Sequence, residues 1–369
     1  MSFYFYNPVK LIHGKDSFKR MSYEIPDGAH LAVIHGNTLS YFKDLTQYIA
    51  SLSKCASVEF YKCAESEPTE VMIDELKSQL KDGTNFILGV GGGSVMDATK
   101  AVAVAYGNKI EVGALKNKNP MDLSSALKFG LVATKPGSGS ELNNAYVLMD
   151  GDDRLKRSYF GPYSFPQFSV QDPIFYKSLS SREYASGLTD AMSHIIDQYL
   201  VDRPADLVQD SMSLSFLKIG SSLAKFFEAP GEEDFSKMAW FSSVVSSGIL
   251  SRGVKAGWMI HEVAHSLSSS LGIGHAESIA LSLERVLLLK KNPLFRLRLI
   301  DQAINGAQEP SDQSAKGHVS QVVSFFSKIG MQTDLNSLTL EQHELWRRKI
   351  NKLCLNLNKE EIESICSRT

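Results

Sequence analysis

The sequence predicts two unlike halves: an α/β domain over residues 1–179 and an all-helical domain over residues 180–369. Three observations predict this division. Short apolar runs alternate with amphipathic helical stretches through the first half. One of those runs flows straight into three consecutive glycines and then into a helical pattern. After about Leu179 the helical spacing continues, but no convincing strand remains. Strand, crossover helix and strand in repetition, with apolar strand runs, is the pattern of a parallel sheet covered on both faces.

Taken in order, Phe3–Tyr6 and Lys10–His13 read as a short hairpin-like opening. Leu31–Ile34 is a buried strand that ends at His35-Gly36-Asn37. Thr38–Ala50 has helical spacing in Leu39, Phe42, Leu45 and Ile49. Ser57–Tyr61 is a second strand. Glu67–Lys81 is a helix with Pro68 near its first turn, where a missing N–H is tolerated. Asn85–Val90 is a third strand, and the helix after the glycines runs from Val95 to about Tyr106. Leu131–Thr134 and Ala145–Met149 are further strands. Helices are then expected over Ser180–Tyr199, Pro204–Phe227, Glu232–Leu250, Val254–Leu271 and Ala276–Leu289, with more beyond and a loop over Gln308–Lys316. The sequence shows no internal repeat and no low-complexity segment.

Composition excludes several classes. The hydrophobic share of 43% and charged share of 22% are those of a globular protein. A net charge of -2 argues against a nucleic-acid partner or a polybasic membrane face. No apolar run approaches the roughly 20 residues that span a bilayer, and Met1–Tyr6 lacks the basic and apolar regions of a signal peptide. Cys55, Cys63, Cys354 and Cys366 have no paired spacing and read as reduced thiols, so a cytoplasmic location is expected.

Gly91-Gly92-Gly93-Ser94 follows a strand and opens a helix, the context of a phosphate-binding turn. Glycine lets the backbone come close to a ligand, and the helix N-terminus offers free N–H groups and a positive dipole end to a pyrophosphate. The spacing is not G-x-G-x-x-G. A second turn, Thr134-Lys135-Pro136-Gly137-Ser138-Gly139-Ser140-Glu141, also follows a strand. Two such turns at strand ends suggest the two sides of one crevice, where open α/β sheets take their ligands. At the first strand end, Gly36 stands where an adenine ribose lies in a dinucleotide fold. No carboxylate is present at Gly36, Asn37 or Thr38 to grip a 2′-hydroxyl and repel a 2′-phosphate, which leans the expectation toward NADP over NAD.

The second half is organised around His261-Glu262-Val263-Ala264-His265 and Gly272-Ile273-Gly274-His275. Three histidines fall close together in a chain with nine. His261 and His265 share one helical face, and the glycines allow the chain to turn before His275. Asp190 and His194 are also four apart. One carboxylate with several imidazoles suits Fe(II) or Zn(II), and ligand type alone does not separate them. His261-Glu262-x-x-His265 also matches the helix of a zinc metalloprotease with Glu262 as base. A third histidine at position 271 would complete one such class, and that residue is Leu271.

The pattern as a whole resembles the iron-containing (group III) alcohol dehydrogenases of the butanol-dehydrogenase and aldehyde-reductase type. The residues that carry the resemblance are Phe5-Tyr6-Asn7-Pro8 with Ile12-His13-Gly14, and Gly91 through Lys100 with Asp97. Gly137-Ser138-Gly139-Ser140-Glu141, Asp172-Pro173, Gly187-x-x-Asp190-x-x-x-His194 and His261-x3-His265-x9-His275 follow in order. The resemblance implies a Rossmann-like dinucleotide-binding domain and an all-α metal-binding domain, the dehydroquinate synthase-like fold. It implies four metal ligands, Asp190, His194, His261 and His275, and makes His265 a non-ligand histidine near the nicotinamide that relays a proton. It implies that Gly92, Gly93 and Ser94 hold the pyrophosphate. Asp97 and Ser138 belong to the cofactor motifs, and Thr134, Asn143 and Lys156 match positions on the nicotinamide side or at the cofactor phosphates. A homodimer, a small alcohol or aldehyde substrate and NAD(P)-linked hydride transfer follow from the same resemblance. Lys135-Pro136 and the bulky stretch Arg252–Trp258 depart from the family pattern at positions expected to reshape the substrate pocket. A polyol dehydrogenase of the glycerol type on the same fold is the alternative.

Overall fold

The structure is a computed structural model that describes residues 2–63, 67–150, 155–201, 206–306, 310–353 and 357–367. The chain divides into two compact units. The sheet unit comprises residues 6–179 and 231–247, and the helical unit residues 1–5, 180–230 and 248–369.

The strands are β1 (Lys10–His13), β2 (His30–His35), β3 (Ser57–Lys62), β4 (Phe86–Gly91), β5 (Lys128–Ala133), β6 (Ala145–Met149), β7 (Lys156–Phe160) and β8 (Phe168–Gln171). The helices are α1 (Ser17–Arg20), α2 (Lys43–Ala50), α3 (Glu70–Gln79), α4 (Gly93–Asn108), α5 (Ser181–Tyr199), α6 (Leu207–Leu223) and α7 (Glu232–Ser246). They continue as α8 (Met259–Leu271), α9 (His275–Leu287), α10 (Leu294–Asn305), α11 (Ala315–Lys328), α12 (Leu340–Leu353) and α13 (Lys359–Ile365).

The sheet unit is built on six parallel strands in the order β1-β8-β5-β4-β2-β3. The central strand β4, Phe-Ile-Leu-Gly-Val-Gly, is buried at every residue. That is what a strand covered on both faces requires. Helix α4 follows it at once, and its Ala- and Val-rich body is buried through most of its length against β4, β5, β6 and α3. Thr69 caps α3 by accepting the Met72 N–H.

Several expectations change here. The hairpin-like opening is not formed: residues 3–6 lie in no strand, and β1 pairs in parallel with the distant β8. Ala145–Met149 is a strand, but it pairs antiparallel with β7 in a separate two-stranded ribbon. Thr38–Ala50 is not one helix: a 3₁₀ turn over Asn37–Tyr41 precedes α2.

In the helical unit, Ser180 and Glu183 form a reciprocal capping box that starts α5. Helix α5 packs on α6 and α9, and α8 packs on α9 and α12. Trp346 of α12 is fully buried and donates its indole N–H to Ser266 Oγ at 2.7 Å. Helix α8 begins at Met259, not at Val254, because Trp258 takes a left-handed conformation with φ 52. Part of the expected helix from Pro204 and of the loop from Gln308 lies outside the described residues, as does Cys354; Cys55, Cys63 and Cys366 are free thiols. No described helix is long and apolar enough to cross a membrane.

Helix α7 groups with the sheet unit, in contrast to a division at residue 180 alone. The reason is polar as well as apolar. Gln171 at the end of β8 donates to Ala239 O at 3.1 Å and Ser243 Oγ at 2.6 Å, and His13 reaches Ser236 Oγ at 3.1 Å.

Candidate metal centre and nucleotide turns

Helix α5 places Asp190, His194 and Asp197 on one face, since residues four and seven apart align along a helix. Helix α8 contributes His261 and His265. Gly272, with φ +66, ends α8 in the left-handed conformation that glycine accepts without strain. His275 then opens α9.

These turns bring ligand atoms of Asp190, His261 and His275 within 4.8 Å of one another, with His194 beside Asp190. Asp190 Oδ1 lies 3.7 Å from His194 Nε2, 3.5 Å from His261 Nε2 and 3.5 Å from His275 Nε2. Those distances are long for hydrogen bonds. The two 3.5 Å distances match the edge of a coordination tetrahedron, about 3.3–3.6 Å for ligand bonds of roughly 2.0–2.2 Å, and the His194 distance is slightly longer. Asp190 Oδ1 and His261 Nε2 are both buried with no hydrogen-bond partner. Buried polar atoms left in this state call for a ligand, and one carboxylate with three imidazoles fits a divalent ion. The His194 and His261 rings stack with centroids 4.5 Å apart.

Electrostatics agree with the geometry. Burial raises the Asp190 carboxyl, but the imidazoles, His194 foremost, outweigh it and hold the group well below the usual carboxylate range. Burial pushes His194 down to about 3, so this imidazole is neutral and able to donate a lone pair. Burial also acts to lower His261, but Asp190 and Asp197 raise it to about 9.

Sequence reasoning missed Asp197. Its Oδ2 accepts from His261 Nδ1 at 2.7 Å and from the His261 N–H at 3.2 Å, while Oδ1 accepts from the Ile260 N–H at 3.0 Å. Trp258, at the N-cap of α8, makes no side-chain cap. Asp197 therefore caps α8 from another helix and fixes the His261 tautomer through the same carboxylate. Its place seven residues after Asp190 is the signal that could have found it. Trp258, the last residue of the bulky stretch Arg252–Trp258, also stands beside these imidazoles. Its indole stands edge-on to His194 and His261, at 5.9 and 5.5 Å between centroids. The His265 ring lies 6.3 Å from His261 and 5.3 Å from His275.

In the sheet unit, Gly92 is the N-cap of α4, so the helix begins on Gly93 and Ser94. The first N–H groups of a helix have no partner within it. A Cβ on Gly93 would sit 3.0 Å from Ser138 Oγ, which shows how closely the two glycine-rich turns approach each other. Gly139 has φ +63, and a Cβ there would meet Ser246 of α7 at 2.5 Å. Thr134 is buried, and its Oγ1 has no partner among the described residues. Gly36 lies at the end of β2, its N–H directed to Val90 O of β4.

Three expected cofactor contacts are engaged inside the protein. Asp97 accepts from Ser140 Oγ at 2.7 Å and from the Val147 N–H at 2.9 Å, so it braces the second turn and β6. Asn143 donates to Gly139 O and Ser246 O and accepts from Lys100 and the Ala145 N–H, which uses its whole amide. Lys156, on β7, pairs with Glu67.

Beneath the turns, fully buried Lys100 lies within hydrogen-bond distance of four acceptors. They are Ser140 O at 2.6 Å, Ser140 Oγ at 2.8 Å, Asn143 Oδ1 at 3.0 Å and Ala145 O at 2.7 Å. Burial lowers its pKa to about 8 against the opposing pull of Asp97 and Glu141. Glu141 is itself buried, and burial raises its carboxyl.

A parallel sheet with glycine-rich strand-to-helix turns, and a helical unit in which Asp190, His261 and His275 converge with His194 beside them, fit a metal-dependent, nicotinamide-linked dehydrogenase. Comparison with known proteins agrees. Residues 8–173 match the profile of the iron-containing alcohol dehydrogenases, and residues 184–362 match the C-terminal profile of the Fe-containing alcohol dehydrogenase family. The chain belongs to the iron-containing alcohol dehydrogenase family.

Among its relatives, the NADPH-dependent aldehyde reductase YqhD of Escherichia coli is 26% identical over 351 residues, covering 92% of this chain and 90% of that protein. A probable NADH-dependent butanol dehydrogenase of Bacillus subtilis is 27% identical over 360 residues, covering 93% and 91%. The crystal structure of YqhD superposes with a TM-score of 0.90 at 22% identity, covering 99% of this chain and 98% of that one. NADH-dependent butanol dehydrogenase A of Thermotoga maritima gives 0.87 at 19%, with the same coverage. Family membership removes the metalloprotease reading, and the geometry agrees: the donors facing His261 are Asp190 and His275, not a His261/His265 pair.

Proposed function

We propose that the chain interconverts short aldehydes and primary alcohols with NADP(H) preferred over NAD(H), using Fe(II) or Zn(II) held by Asp190, His194, His261 and His275. The observation that carries this reading is the set of donor distances around Asp190 Oδ1, with its two orphaned buried atoms. The relatives, an NADPH-dependent aldehyde reductase and a probable butanol dehydrogenase, support the substrate class. When bound, the ion supplies Lewis-acid polarisation of the substrate oxygen, and the nicotinamide supplies the hydride.

The chain's residues do the rest. Asp197 holds the His261 ring so that Nε2 keeps its lone pair for the ion. His265 exchanges the substrate's proton with solvent, the general acid–base role open to an imidazole. The amides of Gly93 and Ser94, behind the Gly92 N-cap, receive the pyrophosphate at the start of α4. Thr134 and Ser138 line the second turn, Gly36 leaves room for the adenine ribose, and Lys100, Asp97 and Asn143 keep the turns in register. A homodimer, on family resemblance, and a cytoplasmic location, on the unpaired spacing of the cysteines, complete the proposal.

The test is oxidation of NADPH and NADH with butanal, on protein stripped of metal and then reloaded with Fe(II) or Zn(II). Activity that returns with metal and favours NADPH supports the reading. Metal binding with oxidation of glycerol but no turnover of short aldehydes or alcohols points to the polyol alternative. Protein that binds neither metal nor nucleotide refutes the proposal.

A further inference from the structure

The dinucleotide reading above has a geometric consequence at the edge of the sheet. The strand order β4-β2-β3 sets the direction in which an adenosine can extend from the pyrophosphate turn. The turn stands at the end of β4, and Gly36 at the end of β2, one strand spacing or about 4.8 Å away. The next strand, β3, is the sheet edge, and its last residue is Lys62. Lys62 is the register partner of His35, which directly precedes Gly36. Paired residues of parallel neighbours share a face. His35 is fixed there: its Nδ1 lies 2.9 Å from Gly36 O, and its ring lies 6.1 Å from that of Phe60 on β3. A carbonyl oxygen only accepts, so Nδ1 carries the proton.

Lys62 differs from the lysines around it. Lys81 pairs with Glu59 of the same strand, Lys54 with Asp27 and Lys77 with Asp74. Lys62 is exposed and has no ion pair or hydrogen bond among the described residues. An ammonium with no partner among the described residues thus stands one strand spacing beyond Gly36, at a strand end that carries no carboxylate from His35 to Thr38. We propose that Lys62 reads the 2′ position of the nucleotide by pairing with the 2′-phosphate of NADP(H). This rests on the dinucleotide reading and adds the residue that sets the choice. A lysine on an edge strand also discourages pairing with other chains, but that role alone predicts no effect on nucleotide affinity.

The test is equilibrium binding of NADPH and NADH to the full-length protein, followed by nicotinamide fluorescence. Lys62→Ala should weaken NADPH by about tenfold, the worth of one charge-assisted contact, and leave NADH within about twofold. Lys62→Glu adds a like charge and should weaken NADPH by about a hundredfold, while Lys62→Arg should retain most of the preference. Equal losses for both nucleotides, or no loss of NADPH in the Ala and Glu variants, would overturn the assignment. Wild-type protein that binds NADH as tightly as NADPH also overturns it but leaves the dinucleotide reading standing. Wild-type protein that binds neither removes both.

Discussion

Replacing Asp197 by Asn tests whether one carboxylate serves both the start of a helix and a metal ligand. In the native site the two oxygens accept three N–H groups, from Ile260, from His261 and from the His261 ring. Asparagine has one acceptor oxygen. If that oxygen serves His261, the amide NH2 faces the Ile260 N–H. If it serves Ile260, the NH2 faces two donors at once. One buried donor is left unsatisfied in the better case, at about 1–3 kcal/mol, and the negative charge at the N-terminus of α8 is lost, at about 0.3–1 kcal/mol. The ring also loses the partner that fixes its tautomer, for which losses in metal affinity run about 10–100-fold. The assay pairs competition for Zn(II) against a chromophoric chelator with denaturant unfolding of the metal-free protein. Weaker metal binding together with a stability loss of about 1–4 kcal/mol is expected. Unchanged metal affinity with lowered stability would refute the shared role and leave Asp197 a helix cap only.

Three further outcomes follow from the same geometry. His261 is raised to about 9 and is protonated near neutral pH in the metal-free site, so filling the site should release about one proton from it between pH 7 and 8 and progressively fewer above 9; titration calorimetry in two buffers of different ionisation enthalpy reads this, and no release would place the proton elsewhere. Lys100, lowered to about 8, binds fewer protons folded than unfolded between pH 8 and 10.5, so wild-type stability relative to Lys100→Met should rise across that window by up to about 3 kcal/mol; a flat difference in urea unfolding would show that the buried ammonium keeps its ordinary pKa. His265→Ala should reduce turnover more than bound metal, and an equal loss of both would make His265 a ligand.

The parts visible in the sequence were those with local signatures. The buried runs at β2 and β4, the glycine turn after β4 and the four-residue spacings on α5 and α8 each lie within one element or one turn. What stayed hidden depends on distant pairing. Strand β8, Phe-Ser-Val-Gln, is short and half polar, and its role becomes evident only beside β1 and β5. Lys10–His13 looked like half of a hairpin because its partner lies at Phe168–Gln171. Asp97 and Asn143 belong to cofactor motifs, yet their polar atoms are used to brace the turns, and no spacing rule separates bracing from ligand contact. Trp258 breaks the expected helix through a backbone conformation that few non-glycine residues adopt.

The grouping of α7 with the sheet unit bears on how such a chain can be recombined. An exchange of the first half between relatives, cut at Leu179, would replace Gln171 and Asn143 but leave behind the helix whose Ser243, Ala239 and Ser246 they bind. The donor's Gly139 would then have to clear a Ser246 chosen for a different turn. Inheritance of cofactor preference as a portable block therefore needs two crossovers more, around residues 231 and 247. A change confined to Lys62 needs none.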